Sequence, residues 1–240
     1  MIKLKDNEQR SKNAILTMWL ILGGVILGLL IELYSIKVLF DLKNSAYGDI
    51  LYLAEGLQSA PVLMLLGLGG LILVAINVIG IVYFIMWFRR AYWNLHQLTG
   101  GLQYTEGWAA GAWFIPIFNW FGPYQIAKEL FTKSEDLLVA EGITERSSNR
   151  FKVLGIWWAL WIISSILGSI SGQGDKIDDL DVQIIFGFLG VIGSLISIVA
   201  AIFAVKMIKE YHKLELLLPH LKSGVETVKQ DNNDLLDAGM

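Results

Sequence analysis

Long apolar stretches separated by short polar ones set the first expectation. A bilayer core of roughly 30 Å needs about 20 apolar helical residues. The runs 14–36, 61–88, 153–170 and 184–207 meet or approach that length. Each reads as a transmembrane helix. The first is longer than the apolar core of a leader and lacks a small-residue cleavage pattern, so it reads as retained. Pro61 suits the first turn of the second, where no helical N–H partner is lost.

A fifth apolar run, 108–121, lies inside "GWAAGAWFIPIFNWFGPYQ" and has another character. Its 14 residues would reach about 21 Å as one helix, too short to cross. Pro116 breaks it near the middle, Gly122-Pro123 ends it, and Gly107 and Gly111 permit close backbone approach. A broken interfacial or re-entrant segment follows, packed against the four helices because lipid cannot satisfy freed backbone groups. Trp108, Trp113 and Trp120 are expected at headgroup level. Before it, Arg89 and Arg90 beside Trp87, Tyr92 and Trp93 end the second helix, with an interfacial helix and a Gly100-Gly101 turn beyond. After it, 123–142 is amphipathic, offering Ile126, Leu130, Leu137 and Leu138 to an apolar face. Residues 206–218 extend the fourth helix as far as Pro219, and "KQDNNDLLDAGM" reads as a weakly ordered tail.

Composition agrees: 55% of the 240 residues are hydrophobic, 17% are charged, and the mean hydropathy is +0.55. That excludes an ordinary soluble domain. The net charge of -3 argues against a nucleic-acid partner. Lys and Arg number four in the tail 1–13, seven in 89–152 and five from 206 onward, against two in 37–60 and one in 171–183. Sixteen against three places both termini and the link 89–152 in the cytoplasm of a multi-pass cell-membrane protein. The organisation is a tail (1–13), a four-helix membrane domain (14–209) containing that link, and a helix extension and tail (210–240).

Candidate chemistry is sparse. With no Cys and three His, no thiolate, metal-helix or triad pattern exists, and no metal or cofactor is expected. "GQGD" at 172–175 superficially matches an intramembrane aspartyl-protease signature, yet no intramembrane Asp pairs with it. The neighbouring Asp178, Asp179 and Asp181 lack calcium-loop spacing and read as a solvated loop. Asn77, mid-span in the second helix, is expected to bond across the bundle to Ser164, Ser165 or Ser194. Glu32 is expected to reach water near the outer end of the first. Gly24/Gly28, Ser164/Gly168 and Gly187/Gly190/Gly193 offer small-residue packing faces within the chain.

"WFRRAYWNL" followed by "GLQYTEGWAAGAWFIPIFNWFGPYQIAKELF" resembles the bacterial membrane-protein family grouped as domain of unknown function 4328. The matching positions include Arg90, Tyr92, Asn94, Trp108, Gly111, Trp113, Pro116, Asn119, Pro123 and Tyr124. Gly122 stands where a basic residue is common. The resemblance implies a multi-helix membrane protein and brings no established activity.

The reading is an all-α integral membrane protein with four transmembrane helices and a broken cytoplasmic-face segment, not an enzyme. It binds lipid or a small ligand, or scaffolds a protein partner or second copy, through Arg89, Arg90, Tyr92, Asn94, Trp108, Trp113, Asn119 and Tyr124. The alternative is a small-solute transporter or channel using the re-entrant segment.

Overall fold

The computed structural model describes residues 4–44 and 60–221, which are helical with no strand among them. In chain order the helices are α1 (Glu8–Asn44), α2 (Ala60–Leu98), the single turn α3 (Trp108–Gly111), α4 (Gly122–Ala140), α5 (Ser148–Ser171) and α6 (Leu180–Glu215). Short 3-10 turns occupy Phe118–Trp120, Gly174–Lys176 and Leu218–His220. α1, α2, α5 and α6 are long and apolar enough to cross a membrane.

All four exceed the apolar runs that announce them. α1, at 37 residues, is about 55 Å long against a bilayer core of roughly 30 Å. α2 continues through the Arg pair to Leu98, so the separate interfacial helix expected after Phe88 is instead the end of α2. Nothing between Arg89 and Leu98 breaks a helix, and the stop comes at Gly101, whose φ of 70° suits glycine. α4 ends at Gly142 (φ 67°), with Ile143 N–H bonded to Leu138 O at 2.9 Å, a Schellman-type close. The acidic loop supplies a cap: Asp179 Oδ1 accepts from Asp181 N–H at 2.8 Å and Val182 N–H at 3.2 Å at the start of α6. Asp181 pairs with Lys43. α6 stops just before Pro219, as its sequence implies. The expected C-terminal tail, Lys3 and residues 45–59 lie outside the described residues.

The described residues form two compact units, one within Met1–Ser11, Ile85–Lys152 and Ile208–Met240, the other within Lys12–Phe84 and Val153–Met207. We call them the link unit and the span unit.

In the span unit, glycines set the helix approaches. A Cβ on Gly187 would fall 2.8 Å from Ile36, one on Gly190 2.6 Å from Ser171 Oγ, and one on Gly193 3.2 Å from Leu167. This Gly187/Gly190/Gly193 face therefore packs α6 onto α1 and α5 within the chain. A Cβ on Gly24 would fall 3.0 Å from Leu73 of α2, whereas one on Gly28 would meet open space; Gly168 has room for a Cβ of its own, but its backbone lies 3.6 Å from where one on Gly193 would stand. Gly80, unmarked in the sequence, packs on Ile21. Asn77 corrects its expectation: its Nδ2 donates to Leu73 O of the same helix at 2.9 Å, on an exposed face. Leu71 and Ile72 on α2 are 68% and 60% exposed, as an apolar helix facing lipid would be.

In the link unit, α4 buries Ile126, Ala127, Leu130, Phe131, Ser134, Glu135 and Leu138. Leu137, expected on that face, is half-buried because the stripe passes through 127, 131, 134 and 138. The ring of Tyr211 on α6 packs against Phe131 (centroids 5.2 Å apart) and Trp87 (6.0 Å). Tyr211 Oη lies 3.3 Å from Ser134 Oγ. Full burial, and then the charge of Glu215, hold the Tyr211 phenol well above its ordinary pKa, so it stays neutral.

Candidate functional site

The stretch 108–121 is a folded loop, not a crossing helix. After α3, residues 112–117 form turns around Pro116, the Phe118–Trp120 turn follows, and α4 begins at Gly122-Pro123. Ala109 and Ala112 are fully buried and anchor it. Its large apolar side chains point the other way: Phe114 is 73% exposed and Ile117 81%, with Ile115, Trp120 and Phe121 also exposed. A contiguous apolar sequence run that turns its bulk outward marks a contact surface. Trp108 and Trp120 are exposed as headgroup anchors would be, but Trp113 turns inward onto Phe88, with ring centroids 6.5 Å apart. Asn119 contributes a backbone N–H to Ile115 O at 2.7 Å, and its Oδ1 is buried without a hydrogen-bond partner.

Phe118 explains Gly122. Its ring contacts Tyr104, Trp108 and Phe121, with centroids 5.0–6.1 Å away, and lies 2.3–2.6 Å from where a Cβ on residue 122 would stand. A side chain at residue 122 cannot coexist with this ring position. Gly107 and Gly111 face open space, so close approach is not their role. Gly122→Ala is expected to cost about 1–2 kcal/mol through displacement of Phe118. Thermal unfolding in detergent, followed by tryptophan fluorescence, checks this against Gly111→Ala as a near-neutral control.

Tyr92 ties the motif together. Its Oη donates to Glu129 Oε2 at 2.6 Å, and lies 3.1 Å from Tyr104 O. Gln103 N–H donates to Glu129 Oε1 at 2.7 Å, and Tyr104 Oη bonds Gln125 Oε1. Burial, then the Glu129 hydrogen bond, push the Tyr92 phenol far above its ordinary pKa. "RAYWNL", "GLQY" and "PYQIAKELF" are thus stitched to one another, and Tyr124 is half-buried beside them.

Asn94 serves a second cluster. Its Oδ1 accepts from Lys5 N–H and its Nδ2 donates to Lys5 O, both at 2.9 Å, pinning the N-terminal segment to α2 like a strand pair. Nδ2 also reaches Glu215 Oε1 at 3.2 Å. Asn7 Nδ2 donates to Glu215 Oε1 at 3.0 Å and to Trp87 O at 3.2 Å, leaving Asn7 Oδ1 buried and unpartnered. Glu215 is 9% exposed, and among the described residues no Lys or Arg is ion-paired with it. Burial outweighs the two amide donors and lifts its carboxyl to a pKa of about 7. A cavity of about 270 Å³ adjoins it, lined by Lys5, Asp6, Asn7, Asn94 and His212 among others.

The arginines form a third group. Arg10 Nη1 donates to Met86 O at 3.0 Å and Arg90 Nη1 to Asp6 O at 3.4 Å, while Arg89 is exposed. Burial, then the charges of Arg90 and Arg89, hold the Arg10 guanidinium below its ordinary pKa. Lys5 Nζ sits 3.7 Å over the Trp93 ring. The residues singled out in the sequence therefore divide among an outward apolar loop, a Tyr92–Glu129 tie, an Asn94–Glu215 cluster and an arginine group. They do not converge on one point. Glu129, Glu215, Asn7 and Arg10 complete these groups and were not singled out. The available sequence signal for Glu215 was a lone acid between Leu214 and Leu216, four residues after Tyr211.

Among the described residues no group of three or more His, Asp or Glu is placed to hold a metal ion. No curated protein and no solved structure matches the chain. A family model, Domain of unknown function (DUF4328), matches residues 60–213, from the start of α2 to the last turns of α6. The match takes in the whole stitched motif and well over half of the chain, and the protein belongs to the DUF4328 family.

Proposed function

We propose that this protein is a non-enzymatic module of the cell membrane, with both termini cytoplasmic, that holds anionic lipid on its cytoplasmic face. The outward side chains Phe114, Ile117, Trp120 and Phe121 enter the headgroup and upper acyl layer, and Arg10, Arg89 and Arg90 attract the phosphate. The observation that carries this reading is the exposure of Phe114 and Ile117 on a loop whose backbone is fixed from beneath by Ala109 and Ala112. Large apolar groups held rigidly outward have no place in water, and clustered arginines suit phosphate oxygens through forked, charge-assisted hydrogen bonds.

Native mass spectrometry from nanodiscs of mixed phosphatidylglycerol and phosphatidylcholine tests it. The expected result is preferential retention of phosphatidylglycerol, reduced several-fold in Arg10→Gln/Arg89→Gln and again in Phe114→Ser/Ile117→Ser, with insertion intact. Equal retention of the two lipids, unchanged in both variants, contradicts it. Trp113→Ala is a poor probe, since Trp113 packs on Phe88. The transporter alternative is separated by protein-dependent solute flux in liposomes, which lipid holding does not require.

A further inference from the structure

The span unit holds a groove that the lipid-holding reading does not use. It has a volume of about 1040 Å³ and is lined by α1 from Leu30 to Leu39, α5 from Ser164 onward and α6 from Gln183 to Ser197. Its surface is mainly apolar, with Ile31, Tyr34, Leu39 and Phe186 among its lining. Among its described lining residues Glu32 is the one acid, and no Lys, Arg or His lines it.

Glu32 sits four residues inside the expected end of the first span, about 6 Å along the helix. Ser194 Oγ of α6 donates to Glu32 Oε2 at 2.8 Å, fixing the carboxylate across the groove. The glycine at 190 brings the α6 backbone close to the other oxygen, since a Cβ there would lie 3.4 Å from Oε1. Ser171, whose Oγ approaches the same glycine, donates to Phe186 O at 2.9 Å and so is committed elsewhere. The two lysines further along α1 pair elsewhere, Lys37 with Asp41 and Lys43 with Asp181. Among the described residues Glu32 therefore has one neutral donor and no cationic partner.

A carboxylate in a helix apolar enough to span a membrane is costly unless something repays it, and such residues mark ligand or ion sites. One hydroxyl donor is a small repayment for a charge. The groove offers the missing complement a definite shape: a compact cation with N–H donors at Glu32, continued by an apolar chain lying along Ile31, Tyr34 and Phe186. Its volume is at the upper end of small-molecule sites, enough for such a molecule.

We infer that the groove between α1, α5 and α6 binds a cationic amphiphile, whose ammonium head sits on the Glu32 carboxylate steadied by Ser194 and whose apolar chain fills the rest. The shared chemistry, an ammonium joined to an acyl or alkyl chain, has two sources: the amine headgroup of a membrane lipid or a free long-chain amine.

The test uses the full chain in neutral maltoside detergent, with dodecylammonium and dodecanol as probes and native mass spectrometry as the readout. One dodecylammonium per chain is expected at concentrations where dodecanol leaves no adduct. Glu32→Gln should weaken retention roughly tenfold or more, the loss expected for a charge-assisted hydrogen bond. Ser194→Ala should weaken it less, by releasing the carboxylate, and Asp178→Asn, an exposed carboxylate outside the groove, should leave it unchanged. Should Glu32→Gln fail to fold, the amine–alcohol comparison on the unaltered chain and the Ser194→Ala variant still decide. An aminophospholipid that co-purifies from native membranes and is displaced by dodecylammonium identifies the lipid source. Amine binding with no such lipid to displace identifies the free amine. Equal retention of amine and alcohol, or equal amine retention by the unaltered chain and Glu32→Gln, overturns the inference.

Discussion

Glu215→Gln is expected to stabilise the protein at pH 8 by up to about 3 kcal/mol and to leave it nearly unchanged at pH 4.5. The folded carboxyl has a pKa of about 7 against an ordinary 4.5, because burial disfavours the charged form more than the amide donors of Asn7 and Asn94 favour it. Asp6 adds to the upward shift and Arg90 opposes it, while His212 lines the same cavity. A raised acid pKa means the folded state binds a proton that the unfolded state has released. The group's favourable contribution is therefore complete below about pH 4.5 and is lost as pH rises through about 7. Glutamine keeps the shape and one acceptor oxygen but has no proton to lose. Melting curves from pH 4.5 to 8.5 should diverge between the two proteins above pH 5, and parallel curves would refute the assignment.

Arg150→Ala is expected to destabilise the protein by about 3 kcal/mol or more, because it strands a buried charge. Glu135 is 1% exposed, its Oε1 pairs with Arg150 at 2.5 Å and accepts Ser147 N–H at 2.8 Å, and its Oε2 is buried without a partner. Removing the arginine leaves one backbone donor for a carboxylate that cannot reach water. Arg146→Ala supplies the contrast: its pair with Asp136 is exposed on both sides, and exposed pairs contribute about 0–1 kcal/mol. The double change Glu135→Gln/Arg150→Ala should recover part of the loss, since the penalty belongs to the uncompensated charge. Thermal melting of the four proteins in one detergent checks this, and equal losses for Arg150→Ala and Arg146→Ala would contradict it.

The four long helices were legible because an apolar run of membrane length is a strong signal that needs no tertiary information. Their ends were not. "RRAYWNLHQL" is polar enough to look like a new element, yet it contains no residue that stops a helix, and α2 runs through it. The break in the aromatic loop was legible from Pro116 and Gly122-Pro123. Which glycines pack was not, because Gly122 answers to Phe118 through a fold of the loop, while Gly107 and Gly111 answer to nothing nearby. Asn94 and Tyr92 could be picked out as motif residues, but their partners Glu215 and Glu129 stand 121 and 37 residues away. Asn77 failed for the opposite reason: its bond is local, to the carbonyl four residues back, an option open to any amide in a helix.

The aromatic loop is expected to meet lipid from the cytoplasmic side. The chain has no Cys, so single substitutions can carry a spin label without background. Phe114→Cys and Ile117→Cys, labelled in nanodiscs, should collide with oxygen more readily than with a water-soluble nickel chelate, and Gln97→Cys, on an exposed position of α2, should do the reverse. Labels at 114 and 117 as open to the nickel chelate as the one at 97, or reached by aqueous reagent from the outer side, would contradict the account.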